Sequence, residues 1–426
     1  MEMTKGIEAL RQDARDLFQA GVEAADPGPA TARALDDYRN QIDEAQSLTL
    51  LALGKGAVAM AEAALPVLRS KLRRGVIVTT EMAARPVADL KVISAGHPVP
   101  NGGSLAGGEA LAEAASEAGE GELVVVLISG GGSALAVAPA EGLELADKIA
   151  LNEALLKSGA DIVEMNAMRS AASRLKGGGL ARLAHPAKVL SLILSDVPGD
   201  DPAVVASGPT AVDRRNARAL EAAVDRLRMS GFPSDKLELI QHAVHESDIM
   251  PEVINRIVGS NEISLETVAQ RAAESGWGVE ILDRWLDGDV EEAARRFLAA
   301  ARASEKKDHP IAILAGGETS VTVSGEGRGG RNQELTLHFA RLCQDGRIDR
   351  PWCFLSGGTD GRDGPTDAAG GVVDAATWDR IERSGADAEA LLADNDSHRA
   401  LAAAGDLLVT GSTGTNVADI QILLLK

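Results

Sequence analysis

Short apolar runs and longer amphipathic stretches alternate along the chain. Residues 5–24 carry apolar side chains at helical spacing, and TLLAL at 49–53 is a continuous apolar run of strand length. The pattern then predicts an Ala/Leu-rich helix over 56–73, strands VIVTT at 76–80 and KVISA at 91–95, a helix over 104–118 and a strand VVVLIS at 124–129. Next come a helix around 142–157, another beginning near Asn166, a strand VLSLILSDV at 189–197, and a helical stretch over 214–247 broken at Pro233. Short apolar strands separated by long helices imply a parallel sheet covered on both faces.

INRIVGSN at 254–261 starts a new alternation, so a domain boundary is expected close to 250. Beyond it the pattern predicts helices over 262–275, 289–305, 332–344 and near 374–404. The strands of this half are expected at 279–282, 311–318, 320–325, 352–358, 407–410 and 420–425. The strands at 311–318 and 320–325 nearly touch, which suggests a hairpin and hence a mixed sheet. The expectation is an α/β protein with domains at 1–250 and 251–426, the closing strand 420–425 being free to pack back on the first domain.

Composition narrows the function. Aromatic residues make up only 2% of the chain while 45 of its residues are glycine, which implies an aliphatic core and many special loops. A net charge of -20 without a local basic patch argues against nucleic acid. Cys343 and Cys353 are too few for a disulfide framework and lack a zinc-type spacing. The opening stretch has no apolar signal core, and no apolar run approaches membrane length. A cytoplasmic protein with no membrane partner is expected.

Glycines and polar residues cluster just after the strands, where open α/β sheets place ligands. In LGKGA, Lys55 lies between two glycines and can reach an anion, although the loop is not a Walker A motif. In SGGGS, Ser129, Gly130, Gly131, Gly132 and Ser133 can form an anion nest with two hydroxyls. Asn166, Arg169, Ser173 and Lys176 recur at spacings that put them on one helix face, running into a triple glycine, and read as a cradle for an anionic substrate. Asp196 in SDVPGDD should sit at a strand's carboxyl end, where a carboxylate can accept a proton or bind a metal ion.

The second half adds GEGRGG at 325–330, which matches GxGxxG outside the strand-to-helix context a dinucleotide requires. Arg331, Asn332 and Glu334 follow; the arginine could clamp a phosphoryl group or serve a helix-surface salt bridge. Glu318, Asp360, Asp363 and Asp367 on glycine loops suit Mg²⁺ held with nucleotide phosphates, with Asp360 and Asp367 as the metal candidates. Some of these are turn formers instead. His97 and His398 sit near loops, His97 reading as mainly structural, with lining of the substrate pocket as the alternative.

Taken together, AGHPVPN, LISGGGSAL, NAMRSAASRLKGGGLA, LSDVPGDDPAVVASGPT, GGETSVTVSGEGRGGRNQE, SGGTDGRDGPTDAAGG and TGSTGTNVAD resemble the MOFRL-type, class II glycerate 2-kinases, over about residues 7–422. The resemblance implies an N-terminal Rossmann-like, doubly wound and mostly parallel domain joined to a smaller α/β MOFRL domain. It also implies ATP-dependent phosphorylation of D-glycerate to 2-phosphoglycerate, with Mg²⁺, in a cleft between the domains. Position by position it makes Lys55, Asp196 and Arg331 catalytic. Glycines 130–132, Ser133, Lys176 and Ser207 would then bind phosphates or substrate, and Ser129, Asn166, Arg169, Glu318 and Asn332 complete the expected binding set. A monomer or homodimer is expected.

Two other readings stand beside it. An NAD(P)H-dependent hydroxypyruvate reductase would require a GxGxxG after the first strand, which LGKGA and SGGGSAL lack. A non-catalytic sensor of a small carboxylate or nucleotide would use similar loops.

Overall fold

The structure, a computed structural model, describes residues 2–212, 216–243 and 249–426. The chain divides into two compact units: one is Pro27–Val258, the other combines the residues up to Asp26 with Gly259–Lys426. The expected break near 250 therefore lies a few residues early, and the N-terminal helix Glu2–Ala24 belongs with the C-terminal half. Its burial explains why. Leu10, Leu17 and Phe18 pack in the core of the second sheet, and the buried Arg11 bonds Asp374 at 2.6 Å and Asp406 at 2.8 Å.

The unit Pro27–Val258 is built on β1 (Ser47–Leu53), β2 (Leu72–Thr80), β3 (Lys91–Ala95), β4 (Glu122–Ile128), β5 (Lys188–Leu194) and β6 (Val253–Gly259), in the order β3-β2-β1-β4-β5-β6. The pairs β1/β2, β2/β3, β1/β4 and β4/β5 are parallel. This is the strand order of a Rossmann-type sheet. Period-two alternation splits each apolar run between two cores. Leu48, Leu50, Leu123 and Val125 face the helix Ala57–Leu68, while Leu51, Leu53, Val124 and Val126 face the helix Gly102–Ser116. Each such side chain stabilises by roughly 1.5–3 kcal/mol, which is why these strands carry no polar face.

A third core of this unit was not foreseen as separate. Helices Leu145–Lys157, Ile162–Ala171, Asn216–Met229 and Ser234–Ala243 pack around Leu155, Met168, Leu227 and Ile240. The rest of the helical stretch expected at 214–247 is the break around Pro233, with 214–215 and 244–247 lying outside the described residues. Two helices, Pro27–Asp37 and Arg39–Glu44, precede β1 where no element was predicted.

The other unit carries β7 (Gly278–Leu286), β8 (Ile311–Gly317), β9 (Trp352–Gly358), β10 (Gly370–Asp374), β11 (Leu407–Leu408) and β12 (Asp419–Leu425), in the order β11-β10-β9-β12-β8-β7. β7 and β8 are parallel, and the remaining pairs are antiparallel. The sheet is mixed as expected, for a different reason. The closing strand β12, expected to be free to pack back on the first domain, inserts between β8 and β9 at the centre of its own sheet. No hairpin forms at 311–325, because the amides of Ser324 and Gly325 donate to the Asn395 side chain in place of a strand ladder. β10 begins at the end of the glycine-rich stretch 356–371 that read as loop. Among the described residues no helix is long and apolar enough to cross a membrane.

Candidate active site

In Pro27–Val258 the strand order reverses between β1 and β4, and a crevice at the carboxyl ends of such strands is where open α/β sheets bind ligands. The loops that follow these two strands are stitched together. The Lys55 amide donates to the Gly130 carbonyl at 3.0 Å, the Ser129 amide to the Leu53 carbonyl at 3.0 Å, and the Gly56 amide to Ser129 Oγ at 3.0 Å. Ser129 is thus a buried clamp between the two loops, and the ligand-facing role expected for its hydroxyl is not what its position offers.

Two glycines let charged groups approach the backbone. A Cβ on Gly130 would lie 2.3 Å from Asp196 Oδ2, so the carboxylate rests against bare main chain. Gly131 has φ +81°, and a Cβ there would meet the His97 ring at 3.0 Å and Lys55 Cε at 3.4 Å. Lys55, His97, Asp196 and the glycine loop are therefore one cluster. Burial pushes the Asp196 carboxyl up from its ordinary value, and the charge of Lys55 partly opposes the shift. Burial and Lys55 both push the His97 imidazole down, which favours its neutral form.

Beside this cluster opens a cavity of about 440 Å³ lined by His97, Gly131, Ser133, Lys148, Arg169 and Lys176, among others. Lys176 is buried, and its Nζ donates to Ser133 Oγ at 2.7 Å; Ser133 Oγ in turn lies 3.1 Å from Ser207 Oγ. Lys148 Nζ donates to the carbonyls of Arg169 and Ala172 at 3.2 and 3.1 Å. Arg169 donates through Nε, at 3.0 Å, and through Nη2 to one oxygen of Asn152. Burial pushes all three cations down, Lys148 to about 7; the charge of Arg169 adds to the shift of Lys148, and those of Lys148 and Arg169 to the shift of Lys176.

The helix-face expectation needs correction. The helix ends at Ala171, Ser173 bridges to Pro139, and Lys176 stands on the following turn. Arg169 and Lys176 still meet because the chain folds back, whereas the half-buried Asn166 does not line the cavity. Lys148 and Asn152 were missed: both sit in a helix whose charges looked like an ordinary solvated face.

In the other unit, Arg331 opens the helix Arg331–Asp345 and forks onto Asp419, with Nε at 2.6 Å and Nη2 at 2.9 Å, while Nη1 lies 2.8 Å from Glu318. Burial alone would lower its pKa, but the bonds and charges of Asp419, Glu318 and Asp363 outweigh it and hold the guanidinium charged. Asn332 is fully buried, accepting from Ser356 and donating to Asp363, so it supports the helix start and does not face a ligand. Asp363 is the cap, accepting the amides of Asn332 and Gln333 at 3.1 and 2.8 Å.

The metal candidates are not gathered. Asp360 accepts the Arg362 amide at 2.9 Å, and the exposed Asp367 meets His398 Nε2 at 3.2 Å. Among the described residues no three His, Cys, Asp or Glu side chains are grouped to hold a metal. Of the glycines of GEGRGG, Gly325 and Gly327 pack on the backbone of Asp394 and Asp396, Gly329 against Ser397 and Gly330 against Asp363, which accounts for them without a dinucleotide.

Known proteins match the chain along nearly its whole length. Residues 13–241 match a domain of unknown function, DUF4147, and residues 311–419 match the MOFRL family. The chain is 37% identical to a D-glycerate 2-kinase of Thermotoga maritima, over 98% of this chain and 99% of that protein. It is 38% identical to a putative hydroxypyruvate reductase of Agrobacterium vitis, over 99% of this chain and 96% of the relative. A crystal structure of glycerate kinase from Thermotoga maritima superposes with a TM-score of 0.90, at 37% identity, over 98% of this chain and 100% of that one.

Proposed function

This chain belongs to the glycerate kinase family that joins a DUF4147 domain to a MOFRL domain, and on that footing we propose that it transfers the terminal phosphoryl group of ATP to D-glycerate, giving 2-phosphoglycerate. The observation that carries the reading is the Asp196 carboxylate lying against Gly130, in one cluster with Lys55 at the carboxyl ends of the parallel strands. Phosphoryl transfer requires little covalent help from a protein and depends on positioning and charge. Asp196, made more basic by burial, accepts the proton of the attacking hydroxyl. Lys55 offsets charge on the phosphoryl oxygens, and the bare backbone of 130–132 lets them approach. Lys176, Ser133 and Ser207 form a donor chain for an anionic group of the substrate. Within the other unit, Arg331, aligned by Asp419 and Glu318, is assigned to nucleotide phosphate.

Among the described residues the acidic side chains do not make a dedicated Mg²⁺ site, so the ion is assigned to the nucleotide as part of the substrate, and no step is routed through it. A reductase is less well supported, because the loop after β1 lacks the dinucleotide pattern. The test is ³¹P NMR of the products formed from D-glycerate, ATP and Mg²⁺. The expected spectrum shows ADP and 2-phosphoglycerate. Absence of any phosphoglycerate, together with oxidation of NADH by hydroxypyruvate, would transfer the chain to the reductase reading.

A further inference from the structure

The cavity beside the Lys55 cluster has an imbalance of charge. Lys148, Arg169 and Lys176 line it, and none is paired with a carboxylate among the described residues; each donates to a neutral oxygen. Glu153, the one acidic residue of the lining, is exposed and lies 3.7 Å from Lys157. Cations withdrawn from water without a counter-charge are unfavourable, so this arrangement is completed by an anion entering from outside.

The three cations are not equivalent. Lys176 commits its ammonium to Ser133, the serine of the glycine loop. Lys148 gives two of its three hydrogens to the carbonyls that end the helix Ile162–Ala171, which leaves one directed elsewhere. Arg169 presents Nε and Nη2 to Asn152, and among the described residues Nη1 has no hydrogen-bond partner. Asn152 thereby fixes the plane of the fork. Both residues stand on helices of the separate core around Leu155 and Met168, whereas Lys55 and Asp196 stand on loops of the sheet. The two groups meet at Gly131, which lines the cavity and lies against Lys55.

We propose that Lys148, together with Arg169 aligned by Asn152, grips the carboxylate of the acceptor, so that the helical layer selects hydroxy acids over uncharged polyols. The inference rests on the glycerate kinase reading and adds to it a carboxylate clamp separate from the phosphoryl-handling residues. A planar fork beside a point charge suits a carboxylate one or two carbons from the reacting hydroxyl. The same contact is coupled to protonation. Lys148 shares the cavity lining with Arg169, Lys176, His97 and Glu153, and burial together with the charge of Arg169 favours its neutral form until an anion arrives.

The test compares wild type with Lys148→Met and Asn152→Ala, using D-glycerate and glycerol as alternative acceptors. Removing one partner of a desolvated charge contact weakens binding by roughly 100-fold. In Lys148→Met the KM for D-glycerate should rise by about that factor while the KM for ATP stays within about threefold, and the preference for glycerate over glycerol should shrink in proportion. Asn152→Ala should give a smaller rise in the same parameter, and it keeps the question open to measurement if Lys148→Met does not fold. D-Glycerate should raise the melting temperature of wild type and not of Lys148→Met, a readout that does not depend on turnover. An unchanged glycerate preference, or a rise confined to the KM for ATP, overturns the proposal. A wild type that binds glycerate through Lys148 but forms no phosphoglycerate overturns the kinase reading and leaves the clamp standing.

Discussion

In Pro27–Val258 the cations Lys148, Arg169 and Lys176 donate only to carbonyl, amide and hydroxyl oxygens, whereas in the other unit Arg331 is held on both sides by Asp419 and Glu318. The first arrangement keeps its charge available and is destabilising until an anion arrives. The second fixes the orientation of a guanidinium and stabilises it, at the expense of much of its field. Recognition and alignment are thus separate tasks here, and substitutions should tell them apart.

The largest effect is expected at Asp196. Replacing it with Asn keeps the shape beside Gly130 and removes the proton acceptor, so kcat should fall by about 10²–10⁴-fold with a smaller change in KM. Because burial disfavours the ionised carboxyl, the melting temperature of Asp196→Asn should hold or rise. A kcat within about threefold of wild type would remove Asp196 from the chemistry. Arg331→Lys keeps the charge but loses the fork onto Asp419, and kcat should drop by roughly 10–100-fold.

The comparison also shows what could be read from the chain. The buried strands of the first sheet were legible because continuous apolar runs such as VVVLI are of strand length and suit a sheet covered on both faces, and the loops carrying Lys55, Ser133 and Asp196 followed from strand ends. β10 was not legible: GGVVD is short, opens with two glycines, and becomes a strand only because β9 and β11 lie on either side of it. The alternation in SVTVSG misled for the converse reason, since Asn395, distant in sequence, takes the amides a hairpin would have used. The N-terminal helix was recognised, but its allegiance to the second unit depends on Arg11 meeting Asp374 and Asp406, partners more than 360 positions away. Lys148 escaped notice because a lysine in an amphipathic helix is ordinarily solvated, and only its placement beside Arg169 and Lys176 distinguishes it.

Stability should separate the two arrangements by sign. Arg331→Met leaves Asp419 buried without its partner, and with the guanidinium about a third exposed the loss should be roughly 2–3 kcal/mol. Lys176→Met removes a buried ammonium that has no carboxylate, so the ligand-free protein should be unchanged or more stable while glycerate turnover falls. Calorimetry on both variants checks the contrast; destabilisation of both by similar amounts would mean that Lys176 is a structural partner of Ser133 and Ser207 instead of a waiting charge.

The smallest expected effect concerns pH. Lys148 titrates near 7 in the folded protein and at its ordinary 10.5 when unfolded. Below pH 7 both states carry the proton and its destabilising effect is complete; between 7 and 10.5 the unfolded chain binds more protons, so stability rises with pH across that window, and above it the effect is gone. Without ligand, wild type should therefore gain on Lys148→Met by about 1–3 °C in melting temperature between pH 7 and pH 9, a modest figure because the side chain is only half-buried. An anion in the cavity favours the charged lysine and reverses the trend. Protection by D-glycerate should weaken as pH rises, since binding then has to draw a proton from a scarcer supply. Glycerate protection that is flat from pH 7 to 9 in wild type would show that the ammonium is already charged in the free protein, and the contrast with Arg331 would then be one of partners only.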